Sequence, residues 1–143
     1  MANKTKRVIH AGGIFPNPLL NREGEALADV KPGTVGFFDG GKFKASVDGK
    51  ESAILYVANM DYLRCKGVDD DLKAGDWVVA IQPMQGMFLN VRAAAGTYKK
   101  GQPVAISNGQ IKAAAEGDSV RAFIEEDTEL TAKAGDLVRV VIK

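Results

Sequence analysis

The chain has 143 residues, which is enough for one domain or for two very small ones. Nineteen basic and eighteen acidic residues give a net charge of +1, which argues against a broad electrostatic surface for nucleic acid or an anionic membrane. One cysteine excludes an intramolecular disulfide, and no apolar run approaches membrane-spanning length, so we expect a protein that folds inside the cell.

Residues 1–30 are predicted to form an extended N-terminal arm. The glycines at 12–13 and the prolines within 16–18 suit neither a helix nor a central strand. Exposed apolar side chains are unfavourable on an isolated domain, so we expect those of the arm to pack on a neighbouring protein or back on the body. These apolar residues are Ile14, Phe15, Leu19 and Leu20.

Two later stretches share one pattern of glycines and apolar residues. KPGTVGFFDGGKFKA begins at Lys31, and KKGQPVAISNGQIKA begins at Lys99. Their turn glycines lie a constant 68 residues apart, as Gly33 and Gly101 do, whereas the later segments AGDWV and AGDLV lie 60 apart. The sequence therefore predicts an internal repeat whose first copy carries eight extra residues, placed within 60–71.

Each copy is predicted to be a run of short strands. The tetrads FDGG and ISNG place Gly or Asn where a tight hairpin needs a positive φ. Further strands are expected at SAILYVAN and SVRAFIEE, and the closing strands WVVAIQ and LVRVVIK are β-branched and apolar. We therefore predict an all-β protein with two tandem small antiparallel β-barrel or sandwich units. The units span 31–82 and 99–143, and a connecting segment at 83–98 joins them.

One segment imitates a phosphate-binding loop. GFFDGGK, from Gly36 to Lys42, satisfies the G-x-x-x-x-G-K part of that motif. Phe43 follows where a magnesium-binding Ser or Thr is required, and the second copy keeps the turn without the lysine. The segment is therefore interpreted as a hairpin, and no cofactor site is predicted.

The sequence gives little support for catalysis or metal binding. His10 is the one histidine and lies in the predicted arm, while Cys65 is interpreted as a small apolar core or surface residue. The acidic runs at 69–71 and 125–127 lack the alternating ligand spacing and the central glycine of a calcium loop. We predict a protein that is not an enzyme, with no catalytic residue and no metal. An enzymatic alternative would need a pocket that gathers an acid of the second run beside another carboxylate.

A tandem-barrel nucleic-acid-binding module is an alternative function. Lys42, Phe43 and Lys44 alternate basic and aromatic side chains as a base-stacking surface would. A two-sided strand would instead turn Phe43 inward and both lysines outward, which disfavours this alternative. Such a module would depend on Lys42, Lys44 and Lys112 and would lose affinity steeply with salt.

The second copy resembles the capsid decoration, or cement, proteins of tailed bacteriophages. The resemblance lies in KKGQPVAISNGQIKAAAEGD, followed by AFIEED and AGDLVRVVIK. In several of these families a turn glycine precedes an apolar strand, a small-residue stretch follows, and a terminal A-G-D/E-x-V-x-V strand ends the domain. The likeness covers 99–143 directly and 31–82 through the internal repeat. It implies a β-rich, commonly trimeric protein whose N-terminal arm reaches neighbouring major capsid protein subunits on the outside of an expanded head.

We therefore expect a non-enzymatic decoration protein that binds the outer surface of a phage head and stabilises contacts between major capsid protein subunits. Many weak contacts repeated by the symmetry of a shell can replace a deep pocket. The protein would be made in the host cytoplasm and end on the virion surface as a homo-oligomer, with a trimer favoured and no membrane partner. The residues expected to contact the capsid are Arg7, Ile14, Phe15, Pro16, Leu19 and Leu20.

Overall fold

The structure is a computed structural model that describes residues 5–14 and 21–143. Within these two ranges the chain forms strands and no helix, so the predicted all-β class is confirmed, and no helix there is long and apolar enough to cross a membrane. The strands are β1 His10–Gly13, β2 Asn21–Ala26, β3 Val35–Asp39, β4 Lys42–Ala45, β5 Tyr56–Ala58, β6 Trp77–Ile81, β7 Met87–Arg92, β8 Gly96–Tyr98, β9 Pro103–Ser107, β10 Gln110–Ala113, β11 Ala122–Ile124, β12 Leu130–Ala132 and β13 Leu137–Ile142.

Five strands between residues 21 and 81 close into a small barrel. Their order is β2-β4-β3-β5-β6, and β6 pairs with β2 to complete the circle. The β2–β4 pair is parallel and the other pairs are antiparallel. Gly36 makes room for the largest interior side chain, because a Cβ at this position would lie 2.5 Å from Cζ of Phe43. One cluster of buried apolar residues lies within the barrel and consists of Ala26, Val30, Phe43, Ala58, Leu72, Val78 and Ala80.

The other large sheet has six antiparallel-paired strands in the order β1-β7-β13-β11-β9-β10. Just after β7, Ala93 forms a parallel bridge with Ile111 of β10, and the N–H of Ala94 donates to the carbonyl of Ile111 at 2.8 Å. The sheet therefore curls until β7 and β10 approach each other. Strands β8 and β12 form a separate two-stranded ladder. The predicted connecting segment 83–98 thus contributes both β7 and β8.

The two predicted hairpins are present and turn as the sequence indicates. Gly40 and Gly41 join β3 to β4 with φ of 58° and 76°, and Asn108 and Gly109 join β9 to β10 with φ of 50° and 76°. Positive φ at both central residues is the geometry that Asn-Gly and Gly-Gly turns favour. The segment that imitates a phosphate loop is therefore a β-hairpin, with Asp39 paired to Lys42 across the turn.

The barrel and the six-stranded sheet share one hydrophobic core. Val35, Val57 and Ile81 of the barrel belong to the same buried cluster as the central residues of β7, β9 and β13. The β9–β10 turn also binds the barrel through its backbone, because Gly109 donates to the carbonyl of Ser46 at 2.6 Å and accepts from the N–H of Val35 at 2.9 Å. A Cβ at Gly109 would collide with the barrel unit at 2.8 Å. The two halves therefore stabilise each other.

Arg92, at the end of β7, connects the six-stranded sheet to two loops of the barrel half. Its side chain is buried, and Nε donates to the carbonyl of Pro32 at 2.7 Å while Nη2 donates to the carbonyl of Val68. Nη1 donates to the carbonyl of Gly135 at 2.9 Å and lies 3.6 Å from the Asp69 carboxylate. Burial lowers the pKa of Arg92, and the nearby Asp69 opposes that shift. One cation thus holds three backbone carbonyls in place.

Candidate protein-interaction surfaces

The N-terminal segment 5–14 is fixed to the six-stranded sheet. Strand β1 pairs with β7, and Ile9, just before β1, is completely buried. The backbone N–H of Asn90 donates to the carbonyl of Ile9 at 2.7 Å, and Nδ2 of Asn90 donates to the carbonyl of Val8 at 2.7 Å. These contacts attach the described part of the predicted arm to the body of the protein.

A largely buried ion pair provides a second attachment. Nζ of Lys6 lies 2.9 Å from one carboxylate oxygen of Glu126, which is 8% exposed. The same oxygen accepts from the backbone N–H of Arg139 at 2.8 Å. Further along the predicted arm, Asn21–Ala26 forms β2 of the barrel. The described parts of the arm therefore belong to both large sheets.

Two of the six predicted contact residues lie within the described segment. Arg7 is exposed, and Ile14 is 49% exposed although its N–H donates to the carbonyl of Gly86 at 3.2 Å. Val8, between them, is 43% exposed. We call Arg7, Val8 and Ile14 the N-terminal surface. The other four predicted contact residues lie outside the described residues; they are Phe15, Pro16, Leu19 and Leu20.

A second exposed apolar surface lies on the barrel, beside the chain that connects β5 to β6. Tyr62 is 58% exposed, Leu63 is 95% exposed, and Trp77 at the start of β6 is 53% exposed. These three side chains line a shallow cavity of about 220 Å³. We call them the loop surface. Leu63 contributes little to the hydrophobic core, because its side chain is almost entirely exposed.

Polar contacts hold the loop surface in position. Arg64 donates from its backbone N–H and its side chain to the carboxylate of Asp61, and its guanidinium lies 3.6 Å from Asp76. Burial raises the pKa of Asp61, but the hydrogen bonds from Arg64 outweigh it and lower that pKa overall. Nε1 of Trp77 donates to the Glu23 carboxylate at 3.1 Å. The exposed apolar groups therefore sit on an ordered support.

Sequence reasoning did not identify the loop surface. It placed the extra residues of the first copy within 60–71 but assigned no contact there. The available signal was the pair Tyr62-Leu63, two large apolar residues in a stretch with no strand periodicity. Trp77 gave no such signal, because it begins an apolar strand whose residues were expected to face the core.

The three lysines on which the nucleic-acid alternative depends each lie beside a carboxylate. The distances from Nζ to the carboxylate oxygen are 3.7 Å for Lys42 and Glu25, 2.6 Å for Lys44 and Asp39, and 2.9 Å for Lys112 and Asp118. Phe43 is buried in the barrel, where it is out of reach for base stacking. These contacts reduce the positive charge that a phosphate backbone would meet at this surface.

The two acidic runs take part in ion pairs. Asp71 accepts from Nζ of Lys31 at 2.7 Å, and Glu125 lies 2.9 Å from Nζ of Lys100. Across residues 5–14 and 21–143, no group of three or more His, Cys, Asp or Glu side chains is arranged to hold a metal ion. Neither acidic run therefore forms a metal site within the described residues.

Comparison with known proteins assigns the chain to no family. No protein-family model matches it. No curated protein matches its sequence either.

Proposed function

We propose that the chain is a non-enzymatic capsid decoration protein of a tailed bacteriophage, located on the outer surface of the head. It would stabilise contacts between major capsid protein subunits as a homo-oligomer, with a trimer as the favoured form. The observation that carries the proposal is the N-terminal surface, where exposed Arg7, Val8 and Ile14 stand on a segment fixed at Lys6 and Ile9. A contact segment already ordered by its own protein loses little conformational entropy on binding.

We also propose that the two halves are copies of one unit. The order of strand pairing is the same in both halves: β2, β4, β3, β5 and β6 of the barrel correspond in turn to β7, β10, β9, β11 and β13. The parallel pair Ala26 and Phe43 in the barrel has a counterpart in Ala93 and Ile111, which lie 67 and 68 residues later. Agreement in both pairing and direction supports a duplication.

On this proposal, the strand pairings favour a position for the extra residues of the first copy that differs in part from the expected 60–71. Corresponding residues of the two hairpins lie 68 positions apart, and those of the two closing strands lie 60 apart. Tyr56 of β5 pairs with β3 as Ala122 of β11 pairs with β9, and these two residues lie 66 positions apart. Two of the eight extra residues would therefore precede β5, outside 60–71, and six would follow it. The six fall in the chain that carries Tyr62 and Leu63, so this part of the loop surface has no counterpart in the second unit.

This asymmetry supports a decoration role with two different contacts. The N-terminal surface supplies a cation and two aliphatic side chains, and the loop surface supplies one aliphatic and two aromatic side chains that line the same cavity. Aromatic and arginine side chains are the residue types that most often dominate binding energy at interfaces. Two contacts on one body would raise the overall affinity for a repeating shell beyond that of either contact alone.

Binding to expanded shells that lack the protein tests the proposal. Purified protein is mixed with such shells, and the bound fraction is measured by co-sedimentation over a range of concentrations. We expect saturable binding that weakens about tenfold or more in the double variant Arg7→Ala and Ile14→Ala, since losing about 1.4 kcal/mol is a tenfold change. Removing residues 1–30 is unsuitable, because that would delete β2 from the barrel.

Val47→Ala is the matched control, because Val47 is 64% exposed and lies outside both surfaces. It should bind as the parent protein does. Absence of co-sedimentation by the parent protein would defeat the capsid proposal. Equal binding by the double variant would instead defeat the role of the N-terminal surface.

A further inference from the structure

The two exposed aromatic rings of the loop surface share one small cavity. Tyr62 is 58% exposed and Trp77 is 53% exposed, and both line the cavity of about 220 Å³. This volume lies below the range of roughly 300–1,000 Å³ that is typical of small-molecule sites. The cavity therefore suits a single side chain of a partner, and the two rings that would meet that side chain are open to it.

The charge around this cavity favours a cation. Asp61 lines it, and none of the described lining residues is a lysine or an arginine. The charge of Arg64, which binds Asp61, is matched by Asp61 and Asp76. Glu23 is different, because its carboxylate accepts from Nε1 of Trp77 at 3.1 Å but forms no ion pair within the described residues. One exposed carboxylate beside the two rings is thus left for a cation from outside.

The hydrogen bond between Trp77 and Glu23 also prepares the ring for a cation. The faces of an aromatic ring attract a cation that lies within about 6 Å of the ring centre, and tryptophan attracts it most strongly. Donation of the indole N–H to a carboxylate polarises the indole and makes its faces more negative. The barrel already contains one cation shared by two rings, since the guanidinium carbon of Arg22 lies 4.5 Å from the ring centre of Phe38 and 5.9 Å from that of Tyr56.

We propose that the loop surface binds a lysine or arginine side chain of a partner protein. The cation would lie against the faces of Tyr62 and Trp77 and near the Glu23 carboxylate, while the almost fully exposed Leu63 would contact an apolar side chain beside it. The identity of the partner rests on the proposed function, in which it is the major capsid protein. The chemistry of the site is tested without shells.

Trp77 is the one tryptophan of the chain, so its fluorescence reports the site directly. The full chain is titrated with choline and with dimethylbutanol, the neutral isostere in which carbon replaces the charged nitrogen, and NaCl keeps the ionic strength constant. We expect choline to change the emission saturably and to bind at least about twofold tighter than dimethylbutanol. Absence of saturable choline binding, or neutral binding that is equal or tighter, would overturn the proposal. Choline binding by a protein that does not co-sediment with shells would support the site and refute the capsid partner.

Two variants test the residues of the site. Glu23→Gln keeps an acceptor for Nε1 of Trp77 but removes the charge, and Tyr62→Leu removes one ring but keeps an apolar side chain. Each should weaken choline binding at least about twofold. Glu116→Gln is the matched control and should leave binding unchanged, because Glu116 is an exposed glutamate outside the cavity. All three positions are exposed, so the variants should keep the Tm of the parent protein. Unchanged choline binding in Glu23→Gln or in Tyr62→Leu would overturn the site.

Discussion

Replacing Arg92 with methionine should cost a large share of the stability of the whole protein. Methionine keeps most of the side-chain length but removes the guanidinium that donates to the carbonyls of Pro32, Val68 and Gly135. Hydrogen bonds to a charged group contribute about 1.5–3 kcal/mol each, and removing one partner of a buried charged contact typically costs about 3–5 kcal/mol. We expect a loss near 4 kcal/mol, or roughly 10–15 °C in Tm for a chain of this size.

Urea unfolding followed by far-ultraviolet circular dichroism measures this loss. Arg22→Met is the matched control, because Arg22 is an exposed arginine whose guanidinium carbon lies 4.5 Å from the Phe38 ring centre. Losing that exposed cation–π contact should cost about 0.5–1 kcal/mol. If Arg92→Met unfolds within about 1 kcal/mol of the parent protein, the three carbonyls have other partners and the reasoning is refuted.

Three further substitutions and conditions have defined outcomes. Gly109→Ala should destabilise the protein by about 2–4 kcal/mol, because its Cβ would collide with the barrel and the backbone at φ 76° is strained for alanine. Gly117→Ala is the control: its φ is 82° but the space around it is open, so it should cost about 1–2 kcal/mol. Equal losses of stability in urea unfolding would contradict the packing argument. Leu63→Asp should leave Tm within about 2 °C but reduce co-sedimentation with expanded shells tenfold or more, and unchanged binding would remove the loop surface from the capsid contact. The hydrogen bonds that Asp118 accepts, chiefly from Lys112, lower its pKa below 3.8. Its contribution to the stability of the fold is therefore present at neutral pH and disappears as the pH falls through and below that value. Asp118→Asn should lose less stability between pH 7 and 2.5 than the parent protein, and an identical loss would argue against the pair of Asp118 and Lys112.

Local sequence signals were sufficient to predict the two hairpins and the two closing strands. Asn108 and Gly109 define a turn by themselves, and the runs of valine and isoleucine before Lys143 define a strand. Strand β2, with the sequence NREGEA, gives no such signal because it has no β-branched or aromatic residue. Its pairing partner β6 lies more than fifty residues later, and a pairing at that separation depends on the whole fold.

For exposed and buried side chains too, local sequence features account for some of what the structure shows, and the rest depends on the whole fold. The expectation of an extended arm did not include the complete burial of Ile9 or the formation of β2 by Asn21–Ala26, although Arg7 and Ile14 of the same segment are exposed. Burial of Arg92 could not be predicted, because arginine is normally exposed and its three acceptors come from loops far apart in sequence. The exposure of Leu63 depends on the path of the chain between β5 and β6, and no local sequence pattern predicts that path.

The contact between Lys6 and Glu126 also constrains when the N-terminal segment becomes fixed to the body of the protein. These residues are 120 positions apart, so this ion pair cannot form until Glu126 has been synthesised. Strand β1 likewise needs β7, whose paired residues are synthesised more than seventy positions later. If the N-terminal surface contacts the shell, a prematurely ended chain would lack that contact. Assembly would then exclude copies that end before Glu126 without a separate checking step.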